Sequence, residues 1–424
     1  MEIMKNKFFL LYYFALILVL VLYTNTSSSP NTIIRLGYLA ALVVPLYNSV
    51  ALFPAIILCA LSISKSTFAY PFMPTEMHYY VILSIVFAAL AIVNRKSKST
   101  ISALFLMTLV YVAMNDLITQ NAFSPLVTIV FIMFLFNICS SVNIESSSQL
   151  LPLTFVFLSL AISYWVLFCP EARLTTYNYV DDMEQAGWRD PNYIACTIGP
   201  GLVVSVKESL TGNKNKWYLY LMWLTTVLSI LALLSIASRG ISLAVAASVS
   251  VLLLFSNVRK RTKVFSIIAI GIVLVFLYTN EYFDFLIARF NVDDGTGSHR
   301  TEIWSDKMNA FFENGNALNY FFGFGQSGGF KLGTMGGRSP HNDFVGILIY
   351  YGFLGLILFL STVAYPIRKC SKKDRPQIAA LMLYLLMSSM TIEPFCMGNI
   401  AYIGFFFYII QLAKQSRIKQ FSYA

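Results

Sequence analysis

Apolar residues form long runs along the chain, and polar residues are gathered into the segments between them. A helix that crosses a bilayer needs ~20 apolar residues, or ~17 at the short end. Runs that approach this length lie at about 8–23, 33–48, 49–64, 78–93, 101–115, 121–140, 150–169, 190–206, 217–237, 239–256, 264–279, 342–366, 376–392 and 396–412. The pair at 33–64 could form one re-entrant hairpin, so the pattern predicts about 12 to 14 spans of an all-α membrane helical bundle.

The composition also indicates a chain whose natural solvent is lipid. Hydrophobic residues make up 57% of the 424 positions and charged residues 12%, whereas soluble domains carry about 25% charged residues. Most segments between the runs are short, so we expect one integral membrane domain over residues 1–424. The first run follows a basic start, as in a signal peptide, but no small-x-small cleavage site follows it, and we interpret it as an uncleaved first span.

The charged residues predict the orientation of the bundle. If the N-terminus is cytoplasmic, the cytoplasmic segments hold 20 of the 30 Lys and Arg residues and 4 of the 20 acids. Cytoplasmic loops of membrane proteins are enriched in basic residues, so both termini are expected in the cytoplasm. The net charge of +10 is then a topological signal, and a nucleic-acid partner is not expected.

Two segments on the outer side are long enough to carry chemistry. The smaller covers about 170–190 and the larger about 280–341. Within the larger, TEIWSDKMNAFF has helical spacing, so short helices are expected, and the glycines would let the loop move as a lid. The six cysteines show neither a disulfide framework nor metal-ligand spacing. The three histidines lie in separate segments, so neither a metal site nor a cofactor is predicted.

Four polar segments fall on this outer side of the predicted bundle. They read GWRDPNYIA (187–195), LLSIASRGISLAV (233–245), DDGTGSHRTEIW (293–304) and GFGQSGGFKLGTMGGRSPHND (323–343). Together they supply the candidate site residues Arg189, Asn192, Arg239, Arg300, Arg338, His341, Asn342 and Asp343.

Most of these residues also have a purely structural interpretation. Asn342 and Asp343 are typical helix caps, and Arg300 could be a solvated loop charge. Arg239 is different, because two apolar runs nearly abut around it, and an ionisable group at such a boundary suggests function. A guanidinium is a planar fork suited to phosphate, and a histidine such as His341 is the usual acid–base group near neutral pH. The residues therefore favour a phosphate-bearing substrate and acid–base chemistry.

The order of these segments resembles that of a known superfamily. WRDPNYIA precedes a span, SRG lies at an outer turn, GSHRTEIW gives Gly-x-x-Arg-x-x-x-Trp, GFG follows, and HNDFVGILIYYGFLGLILF is similar to a His-Asn-x-hydrophobic motif with a trailing Gly-x-x-Gly. Over about residues 185–360 the chain resembles bacterial O-antigen ligases and O-antigen or capsule polymerases. These are membrane glycosyltransferases of the C-type fold.

The resemblance implies a substrate and a mechanism. Members take a glycan on undecaprenyl pyrophosphate at the outer face of the bacterial inner membrane and transfer it, without nucleotide or metal, to an acceptor hydroxyl. By this resemblance Arg239 and Arg300 would hold the pyrophosphate and stabilise the leaving group, and His341 would orient or deprotonate the acceptor. Asn342 and Asp343 would shape the turn. The partners implied are the lipid-linked glycan, membrane lipid and a chain-length regulator, and Arg189, Asn192 and Arg338 would be further substrate contacts.

One departure from the pattern favours a polymerase, which extends lipid-linked repeat units into O-antigen or capsular polysaccharide. Ligase-type sequences, which transfer the glycan to the lipid A core, often have a second histidine shortly before the one that corresponds to His341. Here that interval holds Lys331 and Arg338 instead.

A flippase or other secondary transporter is the main alternative, and a non-catalytic membrane scaffold is a further one. Transporters place ionisable groups near the membrane midplane, often on broken spans. The runs in this chain are nearly free of central charge, and Arg35, Asp116 and Glu393 lie near predicted outer ends. The pattern therefore favours an enzyme whose site lies in the outer loops.

Overall fold

The structure is a computed structural model, and it describes residues 111, 150–168, 191–211, 216–258, 260–281, 283–284, 287, 300–393, 395–396 and 400–422. Eleven helices of this described part are numbered here in chain order: α1 (Leu150–Phe168), α2 (Pro191–Leu210), α3 (Lys216–Ile236), α4 (Arg239–Phe255), α5 (Lys260–Thr279), α6 (Arg300–Asn314), α7 (Ala317–Phe322), α8 (Gly325–Lys331), α9 (Asp343–Lys369), α10 (Arg375–Ser389) and α11 (Ile400–Ser422). No β-strand occurs among these residues.

Each predicted apolar run from residue 150 onwards corresponds to one of the long helices. Three of them, α3, α5 and α9, are long and apolar enough to cross a membrane. The prediction of an all-α membrane helical bundle is therefore confirmed. The predicted runs before residue 150, apart from Tyr111, and the predicted loop at 170–190 lie outside the described residues, so the number of spans stays a prediction.

Small polar side chains join the helices of the bundle. Ser159 on α1 donates to the carbonyl of Ile198 on α2 at 2.9 Å and shares a hydrogen bond of 2.7 Å with Ser229 on α3. On the other side of the bundle, Ser248 of α4 donates to the carbonyl of Ala380 on α10 at 2.7 Å. In a membrane, small residues let helices approach closely and their hydroxyls bond across the interface, which accounts for serines within such apolar runs.

Basic residues of the described helices gather at one end of the bundle. The N–H of Ser371, just beyond α9, donates to Ser416 Oγ of α11 at 2.9 Å. Asn257, just beyond α4, donates to the carbonyl of Lys373. These contacts bring together three segments that carry Lys260, Arg261, Lys263, Arg368, Lys369, Lys372, Lys373, Arg375, Lys414 and Arg417. The cytoplasmic orientation of this end remains a prediction from the charge rule.

The segment predicted to lie on the outer side packs three helices, α6 to α8, onto the first half of α9. Helix α9 is interrupted at Gly352, whose φ of 65° and ψ of −170° are not helical. The backbone of Gly323, which has a φ of 78°, lies against Tyr350 at this break, and the Phe324 N–H donates to the carbonyl of Ile349 at 2.8 Å. The short helices predicted in this loop are thus observed, and glycines make their close docking on α9 possible.

Replacing Gly352 with alanine is expected to destabilise the protein by about 2–3 kcal/mol, because the backbone conformation at this position is almost restricted to glycine. An added Cβ would also lie 2.5 Å from the carbonyl carbon and oxygen of Phe321. Gly271→Ala in α5 is the matched control, because a Cβ there meets nothing within 4 Å. The thermal unfolding midpoint of the detergent-solubilised protein measures both changes, and equal midpoints would contradict the packing described.

Candidate functional site

The candidate site is built around residues 391–393 and 395–396, which follow α10 and precede α11 and are called here the 391–396 turn. The N-terminal ends of α4, α6 and α9 meet this turn through contacts of Gly240, Arg300 and Asp343. Helix N-termini carry a partial positive charge. Their convergence makes this end of the bundle suited to an anionic ligand.

Arg239 is the first residue of α4 and is half-buried. The next residue, Gly240, lies so close to Thr391 that a Cβ at Gly240 would come within 2.3 Å of the Thr391 side chain. On the other side, the hydroxyl of Ser238 donates to the side-chain oxygen of Asn192 at 2.7 Å. The start of α4 is therefore fixed between α2 and the 391–396 turn, and this fixes the position of the Arg239 backbone.

Arg300 is the first residue of α6 and is also half-buried. Its Nη1 donates to the carbonyl oxygen of Thr391 at 2.7 Å. Thr391 is thus contacted from two sides, by the residue that follows Arg239 and by the guanidinium of Arg300. The two arginines lie far apart in sequence, and the fold brings their backbones to one turn.

His341 lies between the glycine-rich segment, which covers residues 323–338, and α9. Its backbone conformation is left-handed, with a φ of 48°. A residue other than glycine adopts this conformation at a cost of roughly 1–2 kcal/mol. Neighbouring contacts hold it there: the His341 N–H donates to Ser339 Oγ at 3.3 Å, and Trp304 Nε1 of α6 donates to the carbonyl of Pro340. His341 is half-buried and lies at the same end of the bundle as Arg239 and Arg300.

Asn342 and Asp343 are directed into the protein. Asn342 is 5% exposed, and its side-chain oxygen accepts from the N–H groups of Phe344 at 2.9 Å and Val345 at 3.3 Å, so it caps α9. Asp343 is fully buried and accepts from the N–H groups of Phe395 and Cys396 at 3.1 and 2.9 Å. These bonds tie the start of α9 to the 391–396 turn, and a contact of either side chain with substrate stays a prediction.

Glu393 adds a second buried carboxyl beside the His341 segment. It is fully buried, and its Oε2 accepts from the hydroxyl of Ser339 at 2.7 Å. Burial raises the pKa of Glu393 to about 8; the Ser339 hydrogen bond opposes this shift, and the nearby charge of Asp343 adds to it. Glu393 is therefore largely protonated near neutral pH, and Ser339 links it to the backbone of His341.

The free energy of unfolding is expected to fall as pH rises from the ordinary glutamate pKa of 4.5 to about 8. In this window the folded protein holds the Glu393 proton more tightly than the unfolded chain does, and stability decreases with pH wherever the folded state binds more protons. Asp343 and Lys307 are the charged groups that also act on Glu393. The test compares the unfolding midpoints of wild type and Glu393→Gln on both sides of this pH window. The midpoint of the variant should fall less with rising pH than that of wild type, and an equal fall in both proteins would contradict the prediction.

Two adjacent residues of α6 fix the glycine-rich segment. The ammonium of Lys307, which is fully buried, donates to the carbonyls of Gly329, Phe330 and Leu332 at 3.0 to 3.1 Å. Burial lowers the pKa of Lys307, and nearby carboxylates oppose that shift. An ammonium has three N–H donors, and those of Lys307 are all used by the three carbonyls at the end of α8.

Asp306 holds the next turn of the same segment. Its carboxylate accepts from the N–H and hydroxyl of Thr334 and from the N–H of Met335. Partial burial acts to raise the pKa of Asp306, but these hydrogen bonds outweigh it and lower the pKa. The glycine-rich segment, which the sequence suggested as a mobile lid, is therefore anchored to α6 by two side chains in this conformation.

The structure brings some of the predicted residues together and leaves others apart. The start of α4 at Arg239, Arg300 and residues 339–343 meet around the 391–396 turn. Asn192 is joined to this group through Ser238, and Arg338 lies exposed on the glycine-rich segment. Arg189 lies outside the described residues. Sequence reasoning did not assign roles to Trp304, Asp306, Lys307, Ser339 or Glu393 in the site. The signal for Glu393 was available, because it is an isolated acid between two apolar runs.

Residues 224–360 match the model of the family described as O-antigen ligase. No curated protein matches the chain. The matched range includes Arg239, Arg300 and His341, and it ends within α9. This central region is therefore similar to the O-antigen ligase family, and the described part of the chain includes three helices that are long and apolar enough to cross a membrane.

Proposed function

We propose that this protein is a glycosyltransferase that polymerises oligosaccharide repeat units linked to undecaprenyl pyrophosphate. The growing chain becomes O-antigen or capsular polysaccharide at the outer face of the inner membrane. The observation that carries the proposal is the meeting of the Arg239, Arg300 and His341 segments around the 391–396 turn. Two guanidinium-bearing helix starts and one histidine suit an anionic leaving group and a hydroxyl acceptor.

The reaction needs one bond to break and one to form. The bond between the anomeric carbon and the pyrophosphate oxygen of the donor breaks, and the acceptor hydroxyl oxygen bonds to that carbon. His341 orients the hydroxyl or takes its proton, while Arg239 and Arg300 stabilise the charge that develops on the departing pyrophosphate. Asn192 and Arg338 are proposed as further substrate contacts, together with Arg189. Asn342 and Asp343 support the turn that carries His341. No metal or nucleotide takes part in this scheme.

A ligase is the second candidate, because the matched family is described as O-antigen ligase. A ligase would use the same donor and the same arginines, but its acceptor is a hydroxyl of the lipid A core. The interval before His341 favours the polymerase, since it holds Lys331 and Arg338 where ligase-type sequences often have a second histidine.

Reconstitution with the lipid-linked repeat unit of the source organism separates the two candidates. A polymerase converts this donor alone into a ladder of longer lipid-linked glycans, which gel electrophoresis resolves. A ligase produces no ladder and transfers glycan only after lipid A core is added. A wild-type protein that does neither in intact proteoliposomes, although it retains the donor, would contradict both and favour a transporter.

A deletion strain gives an independent answer from its surface polysaccharide. Loss of a polymerase leaves single repeat units on the lipid A core, or unextended lipid-linked units. Loss of a ligase leaves the core bare and accumulates long lipid-linked polymer. Complementation with wild type and with Arg261→Ala, an exposed arginine at the basic end of the bundle, provides the control for expression.

A further inference from the structure

The His341 segment is held by a chain of hydrogen bonds that ends on a buried carboxyl. The His341 N–H donates to Ser339 Oγ at 3.3 Å, and the Ser339 hydroxyl donates to Glu393 Oε2 at 2.7 Å. Ser339 and His341 are two residues apart, whereas Glu393 belongs to the 391–396 turn. These hydrogen bonds therefore fix the local backbone of His341 to an element more than fifty residues away in sequence.

The backbone at His341 needs such a support. Its φ of 48° lies in the left-handed region, which residues other than glycine adopt rarely. A conformation of this kind persists where the surrounding contacts determine it. Trp304 of α6 donates to the carbonyl of Pro340, and Ser339 donates to Glu393, so the segment is bonded both to α6 and to the 391–396 turn.

Glu393 is also unusual for a residue that only supports a turn. It is fully buried, and its second oxygen, Oε1, has no hydrogen-bond partner among the described residues. Gly346 of α9 leaves room for this oxygen, since a Cβ at Gly346 would lie 3.1 Å from it. A buried polar atom without a partner is costly, so a carboxyl in this position requires an explanation.

We propose that Glu393 and Ser339 are positioning residues that hold His341 in the conformation required at the site. The proposal rests on the proposed function for its effect on transfer, because only then does the placement of His341 affect a rate. Its structural part does not depend on that function. Glu393 accepts the Ser339 hydroxyl, Ser339 accepts the His341 N–H, and the imidazole is thereby presented to the acceptor.

The structural part is tested by the reactivity of His341 with diethyl pyrocarbonate, followed by mass spectrometry of the peptide that contains it. Full-length protein in detergent is used, with Ser339→Ala, Glu393→Ala and Glu393→Gln. The two alanine variants should raise the modification rate roughly tenfold, because a lost buried hydrogen bond shifts the local opening of the segment by about that factor. Glu393→Gln should keep the wild-type rate, because its amide oxygen still accepts from Ser339.

Ser248→Ala is the matched control. It also removes one buried serine hydrogen bond of 2.7 Å to the rest of the bundle, but between α4 and α10. It should leave His341 reactivity unchanged. Wild-type reactivity in both Ser339→Ala and Glu393→Ala would overturn the proposal, and so would an equal increase in Ser248→Ala. If Glu393→Ala is not recovered as a monodisperse protein, Ser339→Ala, which removes a single hydroxyl, decides the question.

The functional part is tested by transfer kinetics with the same variants. Ser339→Ala and Glu393→Ala should lower kcat roughly tenfold and leave KM for the lipid-linked donor unchanged. Glu393→Gln should retain the wild-type kcat. In a His341→Ala background neither change should lower the remaining rate further; an additional loss there, or a change confined to KM, would overturn positioning through His341. If wild type transfers no glycan but the reactivity pattern holds, the proposed function fails and the positioning of His341 stands.

Discussion

Alanine variants of His341, Arg239 and Arg300 are each expected to lower glycan transfer by at least ~100-fold, while expression and membrane insertion stay normal. A positioned acid–base group contributes about 10²–10⁴ to a rate. A donor directed at developing charge contributes about 10²–10³. Initial rates with purified protein and lipid-linked donor measure the loss, and kcat should fall more than KM rises for His341→Ala.

Both arginine variants can also change stability. Arg300 donates to the carbonyl of Thr391, so its removal also loosens the 391–396 turn, and its effect on unfolding must be measured beside its effect on rate. The unfolding of Arg239→Ala is measured in the same way, so that a loss of rate can be assigned to pyrophosphate binding. Arg261→Ala, at the basic end of the bundle, should behave as wild type. Full activity of Arg239→Ala would exclude the mechanism proposed here.

Lys307→Met should produce the largest loss of stability outside the helical bundle. The substitution retains much of the side-chain volume but leaves the carbonyls of Gly329, Phe330 and Leu332 without their donor. A buried acceptor that loses its hydrogen-bond partner costs about 1–3 kcal/mol, and the substitution removes three such bonds. We expect a lower thermal midpoint and faster proteolysis within residues 323–338, where the glycine-rich segment would separate from α6.

Lys331→Met is the control for Lys307→Met, because Lys331 lies exposed on the same segment. Surface substitutions of this kind change stability by about 0.5 kcal/mol or less. If both variants unfold alike and the segment is cut at the wild-type rate, Lys307 does not anchor it. Such a result would also restore the sequence-based idea of a mobile lid, which hydrogen exchange with and without donor would then test directly.

The helical architecture was readable from the sequence because it depends on local properties. Apolar runs of nearly twenty residues can satisfy their backbone in lipid only as helices, and the runs from residue 150 onwards agree with the helices observed. Their ends were less predictable. Helix α5 begins at Lys260 rather than near residue 264, and α11 extends to Ser422, because amphipathic and basic turns continue a helix beyond its apolar part.

The candidate site was predicted only in part. Asn192, Arg239, Arg300 and His341 stood out because polar groups at the ends of apolar runs are rare. Glu393 also stands out as an isolated acid between two apolar runs, but it did not receive a role because its partner could not be inferred. Its contact with Ser339 joins positions 54 residues apart, and such long-range pairs cannot be inferred from periodicity.

The sequence alone determined that this is a helical membrane protein, and it predicted which of its segments are candidates for phosphate binding and acid–base chemistry. Hydropathy and charge placement suffice for this, because each residue's transfer between lipid and water depends mainly on its own chemistry. Only the tertiary structure decided that the 391–396 turn joins these segments, that Asn342 and Asp343 are directed inward, and that Asp306 and Lys307 anchor the glycine-rich segment. Those outcomes depend on which distant groups pair when the helices pack, and buried hydrogen-bonding groups must find their partners wherever the packing places them.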